Sequence, residues 1–265
     1  MNTLPTRLAE GRTAEIYPWM DGTILKLYRD WCPPDWVEYE ARIAAIVRDA
    51  GIPSPRAFEI VEVDGRRGLV YERLEGVSML TEMTRQPHKL LSFARTLADL
   101  QLRVHQCTAP DLPEMHSALE RAITTTRHLP GDLRTAAYHV LEKLPEGDRL
   151  CHGDYHPDNV LITPKGPVII DWMTASRGDL WADVARTHLL LRLGQPTGDS
   201  GAFWLLRFGR QIYYQTYIAH YTSRTPSGKS QLQAWLPVMA AARLNEDIPH
   251  ERAALIDLVR KGLLS

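Results

Sequence analysis

Apolar and polar residues alternate through the first part of the chain, which is the pattern of half-buried β-strands. The stretch EIYPWMDGTILKLYRD predicts two strands joined by a turn at Asp21-Gly22, and RAFEIVEVDG and RGLVYERL predict a second pair that flanks Gly65. Between the two pairs, a helix is predicted to begin near Pro33-Pro34 and to end at Gly51. The N-terminal part is therefore expected to form a small antiparallel sheet with one helix.

Apolar residues adopt a helical period after Gly76. Helical segments are predicted at 88–107, at about 114–144 and from Trp181 onward, with a short strand-and-loop region at 150–172. We therefore predict an α+β fold with an N-lobe at 1–74, formed by the sheet and its helix. A larger, mostly helical C-lobe at 75–265 is expected to follow a hinge near residues 72–76.

Polar residues concentrate in LCHGDYHPDNVLIT, and VIIDW follows a few residues later. The apolar runs predict two short buried strands, with Asp154 and Asn159 on the loop that enters the first strand and Asp171 at the exit of the second. Because a short hairpin brings its entry and exit together, three oxygen-bearing side chains are expected to converge. Phosphoryl transfer from a metal-bound nucleotide needs a carboxylate to orient the acceptor hydroxyl and hard oxygen ligands for Mg²⁺. The D-x4-N spacing from Asp154 to Asn159 also matches the kinase catalytic loop, with His-Gly in place of His-Arg.

The segment HGDYHPDNVL followed by IIDW resembles the aminoglycoside phosphotransferase and choline kinase family, which shares the two-lobed protein-kinase-like fold. The resemblance extends over nearly the whole chain, although its specific part is this segment. It implies an ATP-dependent small-molecule kinase in which Asp154 is the catalytic base and Asn159 and Asp171 hold Mg²⁺. The implied partner is a small-molecule hydroxyl acceptor, such as an amino alcohol, a sugar, a nucleoside or an aminoglycoside.

A kinase of this type also needs a strand lysine, oriented by a helix carboxylate, to neutralise the nucleotide phosphates. Lys26 lies between apolar neighbours on a predicted strand and is the only lysine in the first 88 residues. Two carboxylates of the predicted helix are candidates for its partner. Glu40 lies on the apolar stripe of the helix, whereas Glu38 lies on the side that faces solvent. Because an unpaired buried charge is costly, a carboxylate on the inward stripe requires a cation, and we favour Glu40, which is also the family position. An ion pair of Glu40 with a nearby arginine is the alternative.

Further residues are assigned mainly through the resemblance. The loop EGRTAEIY between the first two strands contains a single glycine, and the resemblance implies that Thr13 donates to a phosphate. It also implies that the backbone carbonyl of Glu72 and the N–H of Leu74 contact adenine at the hinge. Asp183 corresponds to a family aspartate that braces the catalytic loop, and we interpret it, like His152, as structural.

Four other interpretations start from the same residues. A metal-dependent hydrolase with a bound water as nucleophile would use an alternating ligand set, here His152, Asp154, His156 and Asp158. Against it, Pro157 breaks strand alternation and no second cluster with ligand spacing is found in the sequence. A protein kinase would need a long activation segment, yet only six residues separate Asp171 from Gly178-Asp179. A non-catalytic nucleotide-binding module would be expected to lack a catalytic carboxylate, and adenylyl transfer on the same scaffold stays open.

Composition limits the partners and the compartment. The formal net charge is −1 and the basic residues are spread along the chain, so neither nucleic acid nor an anionic membrane is expected as a partner. Three cysteines lie far apart, and no apolar run approaches the ~20 residues of a membrane span. We expect a cytoplasmic protein with free cysteines. No pattern in the sequence predicts the oligomeric state.

The acceptor site is the least specified part of the sequence. The C-terminal helices contain aromatic residues that would suit a quaternary ammonium or a sugar, although we favour core packing for them: Trp204, Tyr213, Tyr214, Tyr217, Tyr221 and Trp235. Glu246 and Asp247 would supply negative charge to a cationic acceptor, but a solvated helix end is the commoner explanation. Because the C-terminal half shows no concentration of acidic groups, antibiotic resistance is not the role we favour.

Overall fold

The alternating N-terminal sequence forms an antiparallel sheet in the structure, a computed structural model that describes residues 4–194, 203–225 and 228–264. In chain order, the strands are β1 (Ala9–Glu10), β2 (Ala14–Pro18), β3 (Thr23–Tyr28), β4 (Ala57–Val63), β5 (Arg66–Glu72), β6 (Val77–Ser78), β7 (Arg149–Cys151), β8 (Val160–Thr163), β9 (Gly166–Ile169) and β10 (Ser176–Gly178). The helices are α1 (Trp36–Asp49), α2 (Met79–Arg85), α3 (Leu90–Gln106), α4 (Met115–Thr125), α5 (Gly131–Leu141), α6 (Leu180–Leu193), α7 (Phe203–Thr222), α8 (Gly228–Arg243) and α9 (Arg252–Leu264). Short 3₁₀ turns occupy Pro87–Lys89, Pro157–Asn159 and Leu244–Glu246.

The first five strands form one sheet in the order β1-β2-β3-β5-β4, with every neighbouring pair antiparallel. The two predicted hairpins are present. Their turns fit the sequence because Gly22 (φ 73°), Asp64 (φ 51°) and Gly65 (φ 76°) adopt the left-handed conformation that Gly and Asp tolerate best. Lys26 lies in the central strand β3, paired with Ile16 on one side and opposite Leu69 on the other.

Helix α1 packs the predicted apolar stripe against this sheet. Its buried residues recur at helical spacing: Val37, Glu40, Ile43, Ala44 and Val47. Together with Tyr28, Leu69 and Tyr71 of the sheet, members of this stripe form one hydrophobic cluster. Each fully buried aliphatic side chain contributes about 1.5–3 kcal/mol, so the helix is held mainly by this face.

The described residues divide into two compact units. The first comprises the chain up to Met79 together with Asp158–Met173, and the second comprises Leu80–Pro157 and the chain from Thr174 onward. The β8–β9 hairpin belongs to the first unit because β8 pairs with β6. A Cβ on Gly76 would lie 2.6 Å from the carbonyl oxygen of Ile162, so a glycine is required where the chain passes this hairpin.

The predicted division into lobes has a single boundary at 74/75. It does not include the return of Asp158–Met173 to the first unit. The predicted boundary assigns residues 158–173 to the second lobe, since a contiguous boundary is the simplest one that a change of periodicity can indicate. Strand β6 has only two residues and carries no periodic signal, so its pairing with β8 could not be seen in the sequence. The division into an N-lobe and a C-lobe stays a prediction.

The second unit is mostly helical, with α3 against α7, α6 against α8, and α8 against α9. The predicted helical segment at about 114–144 is two helices, α4 and α5, because the chain is extended at Thr126 and Pro130 precedes the second helix. The core interpretation is confirmed for five of the C-terminal aromatic residues, which are buried: Tyr213, Tyr214, Tyr217, Tyr221 and Trp235. The Trp204 side chain lies outside the described residues. No helix within the described ranges is both long and apolar enough to cross a lipid bilayer.

Candidate active site

The β8–β9 hairpin places Asn159 and Asp171 at one end. Val160 pairs with Ile169, and the Ile170 N–H donates to the Asn159 carbonyl at 2.9 Å, so the residue before β8 lies beside the residues after β9. The buried Trp172 indole donates to the Ile169 carbonyl at 3.2 Å and fixes the chain just beyond Asp171. The hairpin therefore places the backbones of these two residues next to each other, and the convergence of their side chains on a metal ion stays a prediction.

Asp171 has a left-handed backbone conformation, with φ at 61°. A non-glycine residue in this region costs on the order of 1 kcal/mol, and such residues persist where the surrounding structure enforces them. The neighbouring hairpin and the Trp172 anchor supply that constraint here. As a result the Asp171 side chain leaves the end of β9 with half of its surface exposed (50%).

Lys26 links this carboxylate to helix α1. Its Nζ atom donates to Glu40 Oε1 at 2.8 Å and to Asp171 Oδ1 at 3.3 Å. The pairing with Glu40 that helical spacing predicted is therefore present. Glu38 lies on the exposed side of α1 and pairs with Arg67.

Glu40 is buried and collects three donors. Besides Lys26, the hydroxyl groups of Tyr71 (2.9 Å) and Tyr28 donate to its two carboxylate oxygens. Burial, followed by the neighbouring Glu40 charge, raises the pKa of Tyr71 above its ordinary value, so this hydroxyl stays protonated and donates. The two tyrosines satisfy the carboxylate that burial would otherwise penalise.

The ammonium of Lys26 stays charged throughout the physiological range. Burial lowers the pKa of Lys26, but the charges of Glu40 and Asp171 outweigh it, and the pKa is raised above its ordinary value. Lys26 is thus a permanent cation, held in place by two carboxylates from different parts of the chain.

Three further predicted nucleotide residues also lie in the first unit. Thr13 occupies the turn between β1 and β2, where its carbonyl accepts from the Arg29 N–H at 2.9 Å. Glu72 ends β5, and Leu74 lies in the segment between β5 and β6. These positions are compatible with the implied contacts to a phosphate and to adenine, which stay predictions.

Asp154 belongs to the second unit, so its convergence with Asn159 and Asp171 stays a prediction. Its carboxylate lies 3.6 Å from His156 Nε2 and 3.6 Å from Arg186 Nη2. Burial raises the pKa of Asp154, but the nearby His156 and Arg186 lower it by more than burial raises it, and the resulting pKa is about 2. Asp154 is therefore ionised at neutral pH.

Asp183 braces the loop that carries Asp154. This buried carboxylate accepts the Gly153 N–H at 2.7 Å through Oδ1, and its Oδ2 lies 2.9 Å from His105 Nε2 and accepts from Gln101 at 2.9 Å. Burial raises the pKa of Asp183, but the contact with His105 and these hydrogen bonds bring it down to about 2. The structural role that was predicted for Asp183 agrees with these contacts.

His152 is also part of the loop framework. It is fully buried, its Nδ1 accepts the Asp154 N–H at 3.2 Å, and its carbonyl accepts from the Thr174 hydroxyl at 2.9 Å. The ring nitrogen that accepts the amide is not available to a metal ion. Across the described part of the chain, no three His, Cys, Asp or Glu side chains form a group able to hold a metal ion.

Sequence reasoning missed several residues of this arrangement. The sequence predicts Tyr28 and Tyr71 only as strand residues and assigns no role to Arg186. Arg186 follows Asp183 by three residues on α6, so the two side chains lie on the same face of this helix. Many residues of α6 are buried, and a charged residue on the same face as the predicted structural aspartate was the signal that could have identified Arg186. The tyrosines gave no comparable signal, because an aromatic residue in a strand is ordinary.

The comparisons with known proteins agree with this fold. A family model described as "Phosphotransferase enzyme family" (APH) matches residues 7–212. An apo structure of a thermostable mutant of aminoglycoside phosphotransferase APH(4)-Ia has 16% sequence identity and a TM-score of 0.66, over 98% of this chain and 95% of that one. A choline/ethanolamine kinase family protein from Mesorhizobium loti has 14% identity and a TM-score of 0.58, over 97% of this chain and 86% of that one.

A third structure is aminoglycoside phosphotransferase APH(3'')-Id from Streptomyces rimosus in complex with ADP and streptomycin, with 19% identity and a TM-score of 0.56, over 86% of this chain and 90% of that one. At such identities the structures show the fold alone, and they confirm the predicted α+β fold of the protein-kinase-like type. The fold and the match to the family model define a phosphotransferase of kinase-like architecture. The chain belongs to the phosphotransferase enzyme family, the group that its catalytic-loop segment resembles.

Proposed function

We propose that this protein is an ATP-dependent phosphotransferase that moves the γ-phosphate to a hydroxyl group of a small molecule. The observation that carries the proposal is the chain of charges Glu40–Lys26–Asp171. It supplies a fixed cation for phosphate oxygens and a half-exposed carboxylate for a metal ion, the two groups that a metal-bound nucleoside triphosphate requires. Membership of the family and relatives crystallised with AMP-PNP or ADP support the same nucleotide.

Lys26 is prepared for phosphate before a nucleotide binds. Its ammonium has three N–H donors, of which Glu40 and Asp171 use two, and the third would serve a phosphate oxygen. Because both carboxylates already fix the side chain, binding costs little further rotamer entropy. Thr13 would add a hydroxyl donor to a phosphate, and the backbone at Glu72 and Leu74 would bind adenine.

Asn159 and Asp171 fit a magnesium ion. Both offer hard oxygen donors from one end of the β8–β9 hairpin, and Mg²⁺ is commonly held by one or two carboxylates together with substrate phosphates. The left-handed backbone of Asp171 directs its carboxylate away from the strand end, with half of its surface exposed. When bound, the ion would neutralise negative charge on the phosphates.

Asp154 would orient the acceptor hydroxyl. In the proposed reaction the hydroxyl oxygen forms a bond to the γ-phosphorus, the bond from phosphorus to the bridging oxygen breaks, and ADP leaves. The hydroxyl proton passes to the Asp154 carboxylate. Since its pKa is about 2, Asp154 is a weak base, so its main contribution would be the alignment of the hydroxyl for a loose transition state.

The acceptor is proposed only as a class. One relative was crystallised with AMP-PNP and hygromycin B, another with ADP and streptomycin, and a third belongs to the choline/ethanolamine kinase family. Amino alcohols, sugars, nucleosides and aminoglycosides are therefore the compounds to test. ATP as donor also agrees with the expected cytoplasmic location, which stays a prediction.

An ADP-release screen over these four compound classes tests the proposal, with ATP and Mg²⁺ present and with the purified full chain. Asp154→Ala should reduce transfer by at least a thousandfold, while the affinity for MgATP changes less than about threefold. Asp171→Ala should instead weaken MgATP binding itself. Asp158→Ala is the matched control, because Asp158 is an exposed aspartate of the same loop, and it should keep near-normal turnover.

The same variants separate the alternatives. A hydrolase that used His152, Asp154, His156 and Asp158 as metal ligands would lose activity with Asp158→Ala. It would also release inorganic phosphate without an acceptor. An adenylyl transferase would release pyrophosphate, and a protein kinase would label a peptide in preference to small acceptors. Near-normal transfer by Asp154→Ala would show that the assigned role is wrong.

A further inference from the structure

Arg186 is the closest cation to Asp154 on α6. It lies three residues after Asp183, so both side chains project from the same face of that helix. Its Nε donates to the Gly153 carbonyl at 3.0 Å, and Asp183 accepts the Gly153 N–H at 2.7 Å. One helix face therefore holds both peptide groups of the residue that precedes Asp154.

The glycine makes this arrangement possible. Gly153 has φ at 78°, and a Cβ at this position would lie 2.5 Å from the Thr174 carbonyl oxygen. No side chain is accommodated without a shift of the backbone. The left-handed backbone and the close approach to Thr174 therefore both require glycine at the position that Arg186 and Asp183 hold.

Arg186 is itself fixed by a series of ion pairs. Its Nη1 pairs with Glu246, which lies 3.0 Å from Arg243 Nη1, and Arg243 binds the buried Glu251 at 2.5 and 2.8 Å. The Arg186 side chain is only 13% exposed. A guanidinium with five donors in a planar fork is suited to hold a carbonyl and two carboxylates at once.

On the condition that Asp154 has the proposed role, we propose that Arg186 is a positioning residue. It holds the Gly153 peptide and the Asp154 carboxylate in the orientation that transfer requires, and Glu246 keeps Arg186 in place. Glu246 thereby acquires a function in the C-terminal region other than contact with a cationic acceptor.

The distances favour positioning by this contact. At 3.6 Å, Arg186 Nη2 attracts Asp154 Oδ1 as a charge but lies beyond hydrogen-bond distance. The contact restricts the carboxylate without using one of its oxygens as a hydrogen-bond acceptor. Among the described residues of this unit, His156, His152 and Arg243 also act on Asp154 electrostatically.

The first test is the titration of Asp154 by carbon NMR on ¹³C-labelled full-length protein, assigned by comparison with Asp154→Asn. Arg186→Met should raise the pKa of Asp154 by about one to two units, since a nearby cation commonly lowers a carboxylate pKa by that amount. Arg186→Lys keeps the charge and should leave the pKa of Asp154 within about half a unit. Arg260→Met, on the exposed side of α9, removes the same charge elsewhere and should change nothing.

The second test is ADP release with the best acceptor from the four-class panel. Arg186→Met should lower kcat by about 10–100-fold and leave the KM for ATP within about twofold, because a small misplacement of a reacting group is costly. Arg186→Lys should recover part of the loss, since an ammonium cannot hold the Gly153 carbonyl and the Asp154 carboxylate together. Glu246→Gln should lower kcat in the wild-type protein and have no further effect in the Arg186→Met background.

Unchanged kcat and an unchanged pKa of Asp154 in folded Arg186→Met would overturn the inference. If Arg186→Met does not fold, as judged by thermal melting, Arg186→Lys and Glu246→Gln carry the same test, and normal kcat in both would overturn it. Failure of the proposed function is a separate result: Asp154→Ala would then retain turnover, whereas failure of this inference alone leaves Asp154→Ala inactive and Arg186→Met active.

Discussion

Replacement of Glu40 by glutamine should destabilise the first unit far more than the same change at Glu38. Glutamine has nearly the same shape as glutamate, so the substitution removes a charge without creating a cavity. Glu40 accepts from the Lys26 ammonium and from two tyrosine hydroxyls, whereas Glu38 is exposed and pairs only at the surface with Arg67. The two variants therefore compare a buried and a solvated carboxylate on one helix.

The expected loss of unfolding free energy in Glu40→Gln follows from the burial of the ion pair. The side chains of Lys26 and Glu40 are 15% and 4% exposed, and removal of one partner from a buried ion pair costs about 3–5 kcal/mol. Asp171 remains 3.3 Å from the ammonium and keeps part of the attraction, so we expect a loss at or just below the lower end of this range, about 2–3 kcal/mol. For a protein of this size that corresponds to a fall in Tm of roughly 5–10 °C.

The assay is thermal unfolding by calorimetry at several pH values between 6 and 9. Because the pKa of Lys26 is raised in the folded state, its contribution to stability is fully present below the ordinary lysine pKa and is lost only at higher pH. The difference between wild type and Glu40→Gln should therefore be constant across this range. Equal Tm values for Glu40→Gln and Glu38→Gln would refute the argument.

Two further predictions concern the second unit. The pKa of Asp183 is lowered to about 2, so its contribution to stability is present above the ordinary aspartate pKa and is lost as the pH falls through about 4 to 2. The difference in Tm between wild type and Asp183→Asn should therefore be large at pH 7 and shrink below pH 4. A difference in Tm that stays constant with pH would contradict this assignment. Burial raises the pKa of the Cys151 thiol, so thiol-specific labelling of the native protein at pH 7.5, read by mass spectrometry, should spare Cys151, and rapid labelling there would show that the site is accessible.

Local sequence patterns predicted much of the fold and the positions of part of the candidate active site. The positions of Lys26 and Glu40 followed from a strand alternation and a helical stripe, each of which depends on residues within one turn or strand. The Asn159 and Asp171 positions followed from a short hairpin, whose length alone forces its two ends together. Such features are predictable because the constraint lies within a few residues of the side chain.

Features that depend on distant residues were missed. The pairing of β8 with β6 decides that Asp158–Met173 packs with the first unit, and neither strand is long enough to reveal its partner. Arg186 reaches Gly153 across 33 residues of sequence, and Glu246 reaches Arg186 from the turn after α8. Tertiary contacts of this kind leave no periodic signal, so Glu246 was interpreted as a solvated helix end.

The proposed reaction moves the γ-phosphate of ATP to a small-molecule hydroxyl. It is tested most directly by ³¹P NMR of the reaction with ATP, Mg²⁺ and the acceptor that gives the most ADP. We expect ADP and a phosphomonoester of the acceptor in equal amounts, with neither product formed by Asp154→Ala. Formation of pyrophosphate with an adenylylated acceptor, or of inorganic phosphate alone, would contradict it.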